Sequence, residues 1–325
     1  MRTLLLLLTV KSVFAQDAVM GAGATFPAPL YQKWIAAFES KNPGPGITYE
    51  ATGSSIGVDR FLQGQLDFAA SDILPDQAQL GDAQALPSVV GAVVPVYNLP
   101  GLKQDLRFSS EVLAGIFLGK ISKWNDQKIK SLNRGVDLPE AAIKVVHRAD
   151  GSGTTFVFSD FLSKTDAVWK SNMGAASTLI WATGEAANGN EGVAKHVTAT
   201  EFSIGYVEFI YAVQQHLSFG SVRNSEGKFV RADIDSITAA AKTTPGTGNF
   251  LVTITDAPGS NAYPIASFTW LLISRTTPAA GAKRNRLMAF LEWALTTGQR
   301  QAAALGYVPL PEDLAQRERN MLSVH

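Results

Sequence analysis

Four short polar segments carry the residue types a protein needs to hold a small oxyanion. The richest is Arg148-Ala149-Asp150-Gly151-Ser152-Gly153-Thr154-Thr155. It follows the strand read over Ile143 to His147 and precedes Phe156, Val157, Phe158, Phe161 and Leu162, which repeat at helical spacing. Ser152, Gly153 and Thr154 therefore fall on a helix N-terminus, where unpaired N–H groups and two hydroxyls converge and the helix dipole favours negative charge. Arg148 supplies a planar, permanently charged fork, and Asp150 is close enough to hold that fork in place. Gly21-Ala22-Gly23-Ala24-Thr25-Phe26-Pro27-Ala28 is a small, flexible turn that runs into a helix, so its N–H groups and the Thr25 hydroxyl can converge in the same way. Thr52-Gly53-Ser54-Ser55-Ile56-Gly57 repeats the idea with hydroxyls that either cap a helix or face a ligand; ordinary capping is the simpler role. Asp72 ends the segment Asp67-Phe68-Ala69-Ala70-Ser71-Asp72, beyond the carboxyl end of a strand where ligands sit in open α/β sheets; a helix N-cap is its other available role.

Competing chemistries lack their residues. The glycines at 21 and 23 do not continue as G-x-G-x-x-G, and no Walker lysine follows, so a nucleotide site is poorly supported. Ser152 lies outside a G-x-S-x-G elbow, and His147, His196, His216 and His325 show no metal-ligand spacing, which leaves neither a catalytic residue nor a metal or cofactor to assign. His147 precedes Arg148 on a strand and so faces the other way. With no cysteine, disulfides, thiolate nucleophiles and a lipid-acceptor cysteine are excluded. Lys plus Arg and Asp plus Glu both total 28, so no basic field exists to hold a nucleic acid or an anionic membrane.

The surrounding pattern alternates strand and helix. Leu30, Tyr31, Trp34, Ile35 and Phe38 recur at helical spacing behind Pro27 and Pro29, and Ile47-Thr48-Tyr49 resumes as a strand. Val58, Phe61 and Leu62 mark a short helix, and Leu66 to Ala70 a buried strand. Val89 to Val96 reads as a central strand and Ile265 to Ile273 as a buried strand, each beside a candidate crossing between domains, at Asn98 to Gly101 and at Asn261 to Pro264. The middle portion is then an inserted domain, and the fold class is α/β with mixed sheets and helices on both faces. At the start, Arg2, the apolar run Leu4 to Val10 and Val13-Phe14-Ala15 predict an export signal cleaved near Ala15 or Ala18, although Lys11 interrupts it.

Together these segments resemble the phosphate-binding protein of the high-affinity bacterial ABC phosphate importer, over about residues 19 to 320. The resemblance is carried by GAGATFPAPLYQKW (21–34), GSSIG (53–57), DFAASD (67–72), LGKISKWND (118–126), RADGSGTTFVF (148–158), IGYVEF (204–209), YPI (263–265) and EWALTTGQRQAAALGYVPLP (292–311). It implies a two-lobed periplasmic-binding-protein fold with a two-strand hinge: lobe I from 19–97 plus 263–325, lobe II from 98–262, after a signal peptide over 1–18. It also implies phosphate ligands at Ala24, Thr25, Phe26 (through its N–H), Ser54, Asp72, Arg148, Ser152, Gly153 and Thr154, with Asp150 supporting Arg148. The partners implied are inorganic phosphate and the membrane permease subunits, for a monomer in the periplasm that is not an enzyme. Two departures are the short leader and Ile56, which stands in a turn where the family often has Gly. A secreted phosphoesterase with the same cradle, and a scaffold without a ligand, are the alternatives; the first would need a metal cluster or a nucleophile paired with a base.

Overall fold

A computed structural model of the protein describes residues 18–102, 104–243, 252–275 and 281–323. The expected export signal falls on residues outside this set, apart from Ala18. No helix among the described residues is long and apolar enough to cross a membrane.

The first half opens with strand β1 (Val19–Gly23), helix α1 (Ala28–Lys41), β2 (Ile47–Glu50), α2 (Ser54–Leu62) and β3 (Phe68–Ser71). Helix α1 begins on prolines, where a missing N–H costs nothing, and buries Leu30, Tyr31, Trp34, Ile35 and Phe38 against the sheet. β1 pairs in parallel with β2 and β3, as right-handed strand–helix–strand crossovers require.

β4 (Ala83–Asn98) is the longest strand and is buried along nearly its whole length, which its run of β-branched and small residues allows. It extends well beyond the apolar core that marks it in the sequence. The second half adds β5 (Lys144–Arg148), α3 (Gly153–Thr165), β6 (Glu185–Ala187), α4 (Gly189–Ala199), β7 (Ser203–Glu208) and α5 (Phe209–Gln214). The chain then returns through β8 (Ala266–Ser274) to the first half. Spatial order in the main sheet is β2-β1-β3-β8-β4-β7-β5-β6.

β4 belongs to both halves. Its residues from Ala83 to Ala92 pair antiparallel with β8, and Val93 to Asn98 pair antiparallel with β7. The returning chain lies beside the switch: Val93 N–H donates to Ile265 O (2.8 Å), and the Tyr263 hydroxyl donates to Val93 O (2.9 Å). Two crossing segments thus run side by side at the junction between the halves.

The β4–β8 register shifts between Thr269 and Trp270, opposite Pro87, which has no N–H to give the ladder. Ser88 at this irregularity donates to Thr269 O (3.0 Å) and meets the Tyr31 hydroxyl (2.5 Å). A bulge of this kind re-aims side chains, and here it leaves the Thr269 hydroxyl free to reach Asp72.

Candidate functional site

The four polar segments meet where the two halves face each other. Ser152 is the N-cap of α3, and its hydroxyl accepts the Thr155 N–H (3.0 Å). No acceptor among the described residues takes the N–H groups of Gly153 and Thr154, which point from the helix start. A Cβ on Gly153 would stand 2.5 Å from both Asp72 Oδ2 and Ser54 Oγ, so this glycine lets one half's helix touch the other half's loops. On the opposite wall Gly53, not a serine, is the N-cap of α2; its φ of 94° lies in the region that glycine alone adopts freely. Ser54 therefore caps nothing there. Its hydroxyl accepts the Asp72 N–H (3.3 Å) instead, which overturns the simpler capping role. Ser55 N–H donates to Gly151 O (3.2 Å) and the Ser55 hydroxyl to Ser177 Oγ (3.2 Å), directly joining the halves.

Asp72 is 2% exposed and caps no helix. Thr269 donates to its Oδ1 (2.5 Å), while Oδ2 is buried without a hydrogen-bond partner among the described residues. Burial pushes the carboxyl from its ordinary 3.8 up to about 7, against the opposing effects of the Thr269 hydroxyl, the Arg148 charge and the Ser54 hydroxyl. Arg148 is 4% exposed. Its Nε donates to Asp150 Oδ1 (2.8 Å) and its Nη2 to Asp150 Oδ2, a fork-to-fork pair, and Nη1 is left buried and unpartnered. Burial raises the Asp150 carboxyl, but the Arg148 hydrogen bonds and charge, with the Gly189 N–H, outweigh it and hold Asp150 below its usual range. Asp150 thus acts as the holder of Arg148.

In the first loop the N–H groups of Thr25 and Phe26 have no acceptor among the described residues. Their carbonyls are tied back by the hydroxyls of Tyr211 (to Thr25 O, 2.7 Å) and Tyr307 (to Phe26 O, 2.7 Å). Ala24 differs: its N–H goes to Ala70 O (2.8 Å) and its carbonyl takes the Tyr49 hydroxyl (2.7 Å). It holds the loop and has no backbone donor to offer.

Several supporting groups carry no local motif. Asn190, fully buried on the first turn of α4, donates from Nδ2 to Thr25 Oγ1 (2.8 Å) and Thr154 Oγ1 (3.1 Å). Glu208, fully buried at the end of β7, caps α5 by accepting the Ile210 N–H (2.8 Å). Burial, reinforced by the Asp72 charge against that N–H, pushes its carboxyl well up. Thr269 and Tyr211 likewise reach the cleft only through long-range folding. His147 stacks on Trp181 (centroids 4.8 Å apart), and its Nδ1 meets Arg148 O (3.1 Å), so it is turned from the Ser152 hydroxyl. Among the described residues no cluster of His, Asp and Glu has the arrangement to hold a metal ion.

Two α/β halves linked by paired crossing strands, with polar strand and helix ends in contact where they meet, define the two-lobed periplasmic-binding-protein fold. Residues 11–297 match the model of the PBP superfamily domain. The chain is 40% identical over 311 residues to the phosphate-binding protein PstS of Haemophilus influenzae, covering 93% of this chain and 91% of that one. Against PstS of Pasteurella multocida it is 39% identical over 325 residues, with coverage of 96% and 93%. The chain belongs to this PstS family within the PBP superfamily. Among solved structures, a high-affinity periplasmic phosphate-binding protein bound with phosphate superposes with a TM-score of 0.77 at 22% identity, covering 93% of each chain. The phosphate-binding protein of Stenotrophomonas maltophilia gives 0.69 at 23% identity, again over 93% of each. At these identities the structures speak for the fold.

Proposed function

We propose that this protein binds inorganic phosphate in the periplasm and delivers it to the permease subunits of an ABC phosphate importer, as a monomer that performs no chemistry on its ligand. The observation that carries the reading is two buried, unpartnered atoms, Arg148 Nη1 and Asp72 Oδ2, on side chains close enough for the Arg148 charge to act on the Asp72 carboxyl. A cationic donor asks for an anion, and a carboxylate beside it asks for an anion that still carries a proton. Phosphate keeps at least one P–OH near neutral pH, whereas sulfate has none. An Asp72 carboxyl poised near 7 fits this: ionised, it accepts the phosphate proton, and neutral, it donates its own to the dianion. Either way one proton lies between two oxygens.

The ligand set we assign is the N–H groups of Thr25, Phe26, Ser54, Gly153 and Thr154, the hydroxyls of Thr25, Ser54, Ser152 and Thr154, Arg148 and Asp72. Ala24 and Asp150 position them. We further assign 19–97 plus 263–325 to lobe I and 98–262 to lobe II, closing by rotation about Val93–Asn98 and Tyr263–Ile265. Strong kinship with proteins named for phosphate binding supports the ligand, and the names of those relatives support the transport role. Protein purified without added phosphate, then denatured and assayed for released anion, tests the reading: about one phosphate per chain is expected. Release of a different anion, or turnover of a chromogenic phosphoester by the intact protein, would replace it.

A further inference from the structure

Asn190 lies outside the ligand set, yet it touches two of that set's hydroxyls at once. Its Nδ2 donates to Thr25 Oγ1 (2.8 Å) and Thr154 Oγ1 (3.1 Å), and its backbone N–H also donates to Thr25 Oγ1 (3.3 Å). Its Oδ1 accepts the Glu208 N–H (2.9 Å), which fixes which end of the amide faces the hydroxyls. A hydroxyl has two acceptor lone pairs and one proton. With both lone pairs of Thr25 Oγ1 filled by Asn190, the hydroxyl can only donate, and its proton is left for the cleft. Thr154 Oγ1 is biased the same way by one bond.

We infer that Asn190 is a positioning residue that forces the Thr25 and Thr154 hydroxyls to act as donors toward the anion. It also joins Thr25 on one wall to Thr154 on the other; Asn190 and Thr154 share a lobe, so it is the direction of the Thr25 hydroxyl that is set only when the cleft is closed. The backbone N–H of Glu208, beside the crossing strand β4, holds the amide in register with the hinge. This inference rests on the phosphate reading given above.

The test titrates wild type, Asn190→Ala and Asn190→Asp with inorganic phosphate from about pH 5 to about pH 8, each affinity taken relative to wild type at the same pH. A carboxylate at position 190 accepts from the hydroxyls and turns their protons away from the cleft. Asn190→Asp should therefore lose about a hundredfold at the upper pH, ~2.7 kcal/mol, and recover about tenfold as the acid is protonated and regains one donor. Asn190→Ala should show a smaller deficit that does not change with pH. A profile for Asn190→Asp that runs parallel to that of Asn190→Ala would overturn the inference, because lost packing alone predicts it. If Asn190→Asp fails to fold, Asn190→Ala is combined with Thr25→Val. Combined losses smaller than the product of the single losses support the coupling, and multiplying losses refute it. Wild type that does not bind phosphate at all would instead refute the phosphate reading.

Discussion

Replacing Asp72 by Asn removes a buried, heavily desolvated carboxylate while keeping its shape. Thr269 can still donate to the remaining carbonyl oxygen, so the change is chiefly one of charge. Because burial raises the folded carboxyl from 3.8 to about 7, the folded state keeps a proton that the unfolded chain has already lost across this interval. The sign follows directly. Stability linked to Asp72 is fully present below 3.8, drains away as pH rises toward 7, and is constant above that. With ~1.4 kcal/mol for each tenfold change in proton affinity, a rise from 3.8 to about 7 is worth about 4 kcal/mol as an upper bound. Asp72→Asn should match wild type near about pH 4 and exceed it by up to that amount at about pH 8. Urea unfolding of both anion-free proteins at about pH 4, 6 and 8 measures the difference. Glu318, which burial also raises to about 7, titrates in both proteins and cancels. A difference that stays constant across this range would refute the assignment of a buried, proton-hungry Asp72.

Arg148→Ala should weaken phosphate binding by about one to two decades in calorimetry, as charge-assisted contacts are worth ~1.5–3 kcal/mol. Arg148→Lys should recover little of this, because a single ammonium cannot grip both oxygens of Asp150 and still present a donor to the cleft. Gly153→Ala places a methyl group against Asp72 Oδ2 and Ser54 Oγ. Overpacking there costs ~1–3 kcal/mol, so affinity should fall about ten- to a hundredfold in calorimetry. Small-angle scattering should show a smaller radius on adding phosphate to verified anion-free protein, and equal radii would rule out lobe closure.

The elements were legible wherever the apolar pattern is periodic. The stripe from Leu30 to Phe38 became α1, and the stripe behind Ser152 became α3, with Ser152 as its cap. Boundaries drifted where neighbouring residues are small and buried, as at β4, whose Ala83 to Ser88 stretch carries a proline and no alternation. The donor-bearing turns and the Arg148–Asp150 pair were legible because their partners are close in sequence. Ser54 was not: its capping role looked ordinary until Gly53 took the cap and Asp72 supplied a partner 18 residues away. Asn190, Thr269 and Tyr211 had no local signal at all, since the atoms they serve lie 36 to 197 residues distant. A buried Asn reads as nothing until the hydroxyls it faces are known.

On the function proposed above, the buried proton acceptor Asp72 and the buried cation Arg148 select an oxyanion that still carries a proton. Isothermal titration of anion-free protein with phosphate, in the absence and presence of a large excess of sulfate at about pH 8.5, tests it most directly, because Asp72 is then ionised. One phosphate should bind per chain with an affinity that sulfate leaves unchanged, and sulfate competition should emerge only as pH falls below about 7 and Asp72 gains a proton to donate. Sulfate that competes as well at the upper pH as at the lower one would contradict it.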